Sequence, residues 1–189
     1  MTRIIAGVAR GRRLTVPGGR RTRPTSDRAR EGLFGTLTAL RGTLQGARVL
    51  DLYAGSGAIG LEALSRGAEA VLLIESDPVA ARVIQANLAA VGMPGGKVVT
   101  GQVSRVLAAG PSPAQPFDVV VADPPYAVTN EEVTAMLSGL SAGWLTPAAV
   151  VAVERASRDE PFSWPAGYEP DRSRRYGEAA FWYGLAASR

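Results

Sequence analysis

From residue 46 onward the chain alternates short, nearly continuous apolar runs with longer stretches in which apolar residues recur every three or four positions. Runs of the first kind read as strands buried on both faces, and stretches of the second kind as amphipathic helices. Residues 48–53, 70–75, 97–100, 117–122 and 150–154 are the predicted strands. Between them, one helix opens on a glycine-rich loop after Tyr53 and runs to Gly67. A second covers residues 78–91, with Ser76 or Asp77 as its cap and Pro78 in its first turn. A short third helix spans residues 104–109, and a fourth follows the capping-box pair Thr129 and Glu132. Residues 168–185 read as two more strands joined by an arginine-rich turn. This alternation predicts an α/β fold with a mostly parallel sheet and helices on both faces.

Upstream of residue 46 the pattern differs. Residues 3–8 and 12–16 read as two short strands around Arg10-Gly11, and Pro17-Gly18-Gly19 ends that unit. A helix is predicted over residues 27–40, capped by Ser26 or Asp27, with Leu33, Phe34, Leu37 and Leu40 as its apolar stripe and Gly42 as its stop. The expected organisation is a basic β-hairpin extension over residues 1–24 and a main domain over residues 25–189.

Charge sharpens this division. Residues 1–30 hold nine arginines and one acid, a balance of +8, while the other 159 residues hold 12 basic and 16 acidic groups, a balance of −4. Basicity is therefore local, and it is interleaved with apolar residues as a folded segment requires. A polyanion-binding arm is the reading, with Arg3, Arg10, Arg12, Arg13, Arg23 and Arg28 as its contacts.

Composition removes several chemistries. The chain has 189 residues, 46% of them apolar, with no cysteine and no histidine. Disulfides, thiolate metal sites and imidazole bases are excluded, so catalysis must rest on carboxylates, arginines, backbone groups or a cofactor. No resident metal is expected. No apolar run approaches the ~20 residues that span a bilayer, and the N-terminus lacks the apolar core of a signal peptide. A cytoplasmic protein that does not meet a membrane is expected.

Two segments carry the candidate chemistry. The first, Asp51-Leu52-Tyr53-Ala54-Gly55-Ser56-Gly57-Ala58-Ile59-Gly60, links a strand to a helix, and its glycines match the dinucleotide pattern G-x-G-x-x-G. Such a loop holds either a pyrophosphate or the amino-acid end of S-adenosylmethionine. Asp51 favours the second, because a carboxylate there repels a diphosphate yet anchors a cationic amino group, directly or through water. Glu75, at the end of the next strand, is placed to accept both hydroxyls of a ribose. Asp77 is read first as a helix cap, and Asn87 as a structural polar residue in mid-helix.

The second segment is Asp123-Pro124-Pro125-Tyr126, at the carboxyl end of the strand over residues 117–122, the edge where ligands gather in open α/β sheets. These residues suit the methylation of an exocyclic amine on a nucleobase. Such an amine is a poor nucleophile, because its lone pair is delocalised into the ring. Acceptors on its protons, Asp123 and the Pro124 carbonyl, favour the pyramidal form in which that lone pair is available. The two prolines fix the backbone, and Tyr126 offers a face for stacking the base. No strong base is needed before attack.

With these residues in view, the chain resembles the RsmD family of bacterial 16S ribosomal RNA guanine-N2 methyltransferases. The resemblance covers nearly the full length. It rests on Arg3-Ile4-Ile5-Ala6-Gly7, Arg10-Gly11-Arg12-Arg13-Leu14, Arg23-Pro24-Thr25-Ser26-Asp27-Arg28, Arg30-Glu31, Leu33-Phe34, the Asp51 to Gly60 run followed by Leu61-Glu62-Ala63-Leu64-Ser65-Arg66-Gly67-Ala68, and Asp123-Pro124-Pro125-Tyr126. It implies a Rossmann-like class I methyltransferase, with a seven-stranded sheet ending in an antiparallel strand. It also implies S-adenosyl-L-methionine as donor and a guanine of 16S rRNA, in the assembling or assembled 30S subunit, as acceptor. The cofactor would lie on Asp51, Tyr53, Ala54, Gly55, Ser56 and Gly57, and on Glu75, Ser76, Gln102 and Val103. Catalysis would fall to Asp123, Pro124, Pro125 and Tyr126, in a protein acting as a monomer. Gln102 stands where related enzymes often have Asp or Asn, and Gly32 and Gly35 stand where Ala and Asn are expected, which loosens the first helix.

Three other functions use part of the same pattern. Adenine-N6 methylation shares the Asp-Pro-Pro-Tyr tetrapeptide, but the chain has no separate domain to read a DNA sequence. An NAD-binding oxidoreductase shares the glycine spacing, against which stand Asp51 and the missing His and Cys. A non-catalytic RNA-binding protein would leave Asp51 and Asp123 without a purpose.

Overall fold

The computed structural model describes residues 2–18, 26–111 and 116–187. Its main sheet has seven strands in the order β5-β4-β3-β6-β7-β9-β8, formed by β3 (Arg48–Leu52), β4 (Ala70–Glu75), β5 (Gly96–Thr100), β6 (Phe117–Ala122), β7 (Leu145–Ala156), β8 (Tyr168–Tyr176) and β9 (Ala179–Ala186). β5, β4, β3, β6 and β7 are mutually parallel, while β9 runs antiparallel to both β7 and β8. The chain passes from β3 outward to β5 and then returns to the other side of β3 as β6. This reversal puts a topological switch point between β3 and β6, and a crevice opens beyond their carboxyl ends.

Helices α1 (Asp27–Arg41), α2 (Ala58–Ser65) and α3 (Pro78–Val91) cover one face of the sheet, and α4 (Val103–Ala108) and α5 (Asn130–Leu140) the other. On the first face Leu33, Phe34, Ile59, Ala63 and Ile84 pack on Val49, Val71, Val119 and Val150. On the second, Leu107, Val133, Leu137 and Leu140 pack on Leu50, Leu52, Val120 and Val151. Because both faces are covered, β3 and β6 are apolar almost throughout, and the acid of β3, Asp51, is an exception that requires explanation.

Local chemistry sets the helix ends. Asp77 accepts the Val79 N–H at 2.8 Å, Pro78 holds the first turn and Gly92 closes α3. The Ser26 hydroxyl accepts the Ala29 N–H at 3.2 Å to cap α1, and Thr129 and Glu132 exchange both bonds of a capping box at α5.

Three expectations about the elements are corrected. The N-terminal hairpin pairs only β1 (Thr2–Arg3) with β2 (Arg13–Leu14) as strands: Ile4 still bonds across to Gly11 and Arg12, but Ile5, Ala6, Val8 and Ala9 turn their N–H groups to α2. β7 begins five residues before the predicted strand, with Ala148 at φ 59 and a register shift against β6 in its first half. The C-terminal arginines Arg172, Arg174 and Arg175 lie within β8, and the turn after them is Gly177-Glu178. Gly32, read as loosening α1, instead makes room for Tyr176: a Cβ there would sit 2.2 Å from the Tyr176 ring.

Candidate active site

Three acids meet at the switch point. Asp51 is 2% exposed, and its Oδ2 accepts the Gly60 N–H at 2.9 Å, tying the end of β3 to the first turn of α2 across the glycine loop. Burial pushes the Asp51 carboxyl up to about 7; the Gly60 amide works against this, and Asp123 and then Glu75 add to the rise by repulsion. The registers Leu52↔Ile74 and Leu52↔Ala122 bring Glu75 and Asp123 out on either side of β3. At strand spacings of about 4.8 Å, the two flank the loop at roughly 10 Å from each other.

The loop between them is held in a form suited to a ligand. Gly57 caps α2 in the left-handed region at φ 77, where a side chain would also press on Ile84, Leu61 and Leu73. Tyr53 is left-handed as well, at φ 60, without being a glycine, and it is half-buried with its phenol raised by burial and by Glu132. The Glu75 carboxylate accepts the Gly55 N–H and the Asp77 N–H, each at 2.8 Å, so it fixes both the loop and the start of α3. Oε2 has a second lone pair, and that of Oε1 is met only by the long Ser76 contact, so Glu75 retains capacity for hydroxyls once the Ser76 rotor turns away. Ser76 is exposed, with its Oγ 3.5 Å from Glu75. Gln102 is the exposed N-cap of α4, and Val103 beside it is buried. Asp51, Tyr53, Ala54, Gly55, Ser56, Gly57, Glu75, Ser76, Gln102 and Val103 thus all lie at the carboxyl ends of β3, β4 and β5.

Asp123 follows β6, and its N–H continues the ladder to Leu52 O at 3.3 Å. Pro124 is buried, while Pro125 is exposed and its carbonyl accepts the Val128 N–H at 2.9 Å, closing a turn. That turn leaves Tyr126 72% exposed beside the crevice. A large aromatic in water next to the half-buried Asp123 is an available stacking surface.

The arginines of the arm divide by use. Arg10, Arg13 and Arg28 are exposed. Arg3 pairs with Asp27 at 3.4 Å, and Arg12 donates to the Ala90 and Val91 carbonyls, each at 3.2 Å, at the end of α3. Arg23 lies outside the described residues. Ile4, Ala9 and Leu14 pack on Ala58, Leu61 and Val91, so the arm is seated on α2 and α3.

Three polar side chains complete that seat, and the sequence assigned the role to none of them. Glu62, fully buried, accepts the Ile5 and Ala6 N–H groups at 2.7 and 2.9 Å and pairs with Arg66 at 2.8 Å. Ser65 accepts the Ala9 N–H at 2.9 Å and donates to Ala6 O at 2.6 Å. Asn87, read only as a structural polar residue, bonds both to the arm and to the glycine loop. The available signal was a polar residue on a helix face that is otherwise apolar: Glu62 within α2, and Asn87 in the stripe of Ala80, Ala81, Ile84 and Val91.

Comparison with known proteins agrees with this geometry. The family described as conserved hypothetical protein 95 matches residues 2–184. Ribosomal RNA small subunit methyltransferase D of Escherichia coli strain K12 is 37% identical over 179 residues, which is 95% of this chain and 87% of that protein. The chain belongs to this RsmD family. Its relative of the same name in Haemophilus influenzae is 36% identical over 88% of this chain and 84% of its own length. Among solved structures, the Escherichia coli protein yhhF superposes with a TM-score of 0.85 at 33% identity, covering 99% of this chain and 98% of that one. A hypothetical protein of Thermus thermophilus gives 0.81 at 32% identity, covering 97% and 98%. The RsmD-family chain therefore has the Rossmann-like methyltransferase fold that its sequence predicts, with a small antiparallel hairpin at its N-terminus.

Proposed function

We propose that this chain transfers a methyl group from S-adenosyl-L-methionine to the exocyclic N2 of a guanine in 16S ribosomal RNA of the small subunit. The observation that carries this reading is the convergence of Asp51, Glu75 and Asp123, whose mutual repulsion adds to burial in raising Asp51 to about 7. A site of that charge is incomplete without a cation. S-adenosylmethionine, when bound, supplies an electrophilic methyl on a cationic sulfonium and carries a cationic amino group. A dinucleotide would instead place two phosphates beside three acids.

Each residue then has a task. Asp51 complements the amino group, and Glu75 accepts the ribose hydroxyls with its spare lone pairs. Asp123 and the Pro124 carbonyl accept the protons of the guanine amine and offset the positive charge that develops on its nitrogen, an effect worth about 3–4 kcal/mol for one well-placed group. Tyr126 stacks on the base, which recovers about 1–3 kcal/mol of the cost of drawing it from its neighbours. Arg10, Arg13 and Arg28 meet backbone phosphates, with residues 1–24 acting as the RNA-holding part and residues 25–189 as the catalytic part. The choice of guanine in small-subunit RNA rests on family membership, since the relatives are named as small-subunit ribosomal RNA methyltransferases.

Nucleoside mass spectrometry of ribosomal RNA from cells with and without this protein tests the reading. Loss of N2-methylguanosine from 16S rRNA is expected. Loss of N6-methyladenosine with N2-methylguanosine intact would replace guanine by adenine.

A further inference from the structure

Asn87 touches two parts of the molecule that serve different ligands under the proposed function, on which this inference rests. Its amide nitrogen donates to Thr15 O at 2.9 Å and to Ser56 O at 3.0 Å, and its amide oxygen accepts the Thr15 N–H at 2.9 Å. Thr15 directly follows β2 of the arm, and Ser56 lies in the glycine loop. The side chain is 3% exposed, so water does not compete effectively for these bonds. A planar amide pairs with the Thr15 peptide group as one strand residue pairs with another, and one N–H remains for the loop. Aspartate has no donor for either carbonyl, and alanine has neither donor nor acceptor.

We propose that Asn87 is a positioning residue that couples the cofactor loop to the RNA-holding arm, so that filling the loop steadies the arm. The route is short and physical. A cofactor seated on the loop restrains Ser56, Ser56 O restrains the Asn87 amide, and the amide holds the Thr15 peptide. The rest of the arm is fixed to the far end of α2 by Glu62 and Ser65, while the near end of α2 is fixed to Asp51 through Gly60. Those contacts seat the arm on α2 with or without cofactor, whereas Asn87 bonds to loop and arm at once and passes restraint of one to the other. Linkage requires the converse: RNA held on the arm tightens cofactor binding by the same factor.

Hydrogen exchange at the amides of residues 4–15 tests this on the full chain, with S-adenosylmethionine as the only added ligand. In the wild type, saturating cofactor is expected to slow exchange at these amides by about fivefold or more. In Asn87→Ala, calorimetry should still record cofactor binding, while the exchange rates with and without cofactor become equal. Thr15→Pro removes the amide that Asn87 accepts and leaves Asn87 and the loop in place; it should weaken the effect in the same direction and serves if Asn87→Ala does not fold. Cofactor binding without protection of the wild-type arm, or protection that persists in Asn87→Ala, would overturn the coupling alone. Failure of the wild type to bind S-adenosylmethionine would overturn both the coupling and the function, whereas intact coupling with no guanine methylated would overturn only the function.

Discussion

The Asp51 carboxylate is bonded to the Gly60 amide at 2.9 Å while sharing its surroundings with two further acids, so one side chain both closes the glycine loop and carries its electrostatic strain. Asp51→Asn separates these effects, because the amide oxygen can still accept the Gly60 N–H. The folded Asp51 carboxyl, near 7, lies above its ordinary value of 3.8, so the folded state binds this proton more tightly than the unfolded state does. Without cofactor, the contribution of Asp51 to stability is full at low pH and is lost as pH rises from about 4 to about 7, by on the order of a few kcal/mol. Asp51→Asn is expected to raise the melting temperature of the cofactor-free protein at pH 8 by several degrees and to weaken S-adenosylmethionine binding at least about tenfold. Scanning calorimetry and titration calorimetry check the two halves.

Cofactor affinity should also depend on pH. The ionised form of Asp51 is the one that complements a cation, so affinity falls below about pH 7 by up to about tenfold per unit, and binding at about pH 6.5 releases protons. Titration in buffers of different ionisation enthalpy measures that release. A flat profile from about pH 5.5 to about pH 8 would remove Asp51 from the cation's surroundings.

Asp123→Ala is expected to retain cofactor binding and to lose methyl transfer by about 10²–10³ in kcat. It also removes one of the two charges that raise Asp51, so the midpoint of the cofactor pH profile should move downward. Single-turnover rates beside equilibrium binding test both statements.

The arginines of the arm should separate experimentally. Arg10→Glu with Arg13→Glu is expected to lower the slope of log affinity for 16S rRNA against log salt by about 2 with little effect on melting. Arg12→Ala should instead cost about 0.5–1 kcal/mol of stability, because Arg12 satisfies the Ala90 and Val91 carbonyls at the end of α3.

Gly32→Ala is expected to destabilise the fold by about 1–3 kcal/mol through contact with the Tyr176 ring. Tyr176→Ser should recover most of that loss in the double variant, and a denaturation cycle over the four proteins measures the coupling.

What the sequence conveyed was local. α3 is read to both ends because Asp77, Pro78 and Gly92 mark them, and β6 because the six residues of Phe117–Ala122 are framed by prolines and an acid. Asp51, Glu75 and Asp123 could be named because each stands at the end of a strand whose apolar run is plain. The seating of the arm was not readable, since Glu62, Ser65 and Asn87 act on backbone groups 56 to 72 residues earlier and no periodicity records such a pairing. The predicted hairpin strand is too long for the same reason: Arg3 to Val8 is a short apolar run like a strand, yet its Ile5, Ala6 and Val8 donors turn to α2. Gly32 carried the opposite lesson, because its partner Tyr176 lies on β8, at the far edge of the sheet.

The distance in sequence between the arm and its seat has a consequence for how the chain comes into being. Gly7 presses so closely on Ser65 that a Cβ would lie 1.8 Å from its carbonyl oxygen, and the arm's other anchors, Glu62, Asn87 and the Ala90 and Val91 carbonyls, lie 56 to 79 residues downstream of the groups they hold. When the arm has been synthesised, none of these partners has yet been made. The arm is made before its seat and must wait, positively charged and unpaired with it, until α3 is complete, and it closes onto a surface that the later residues have built.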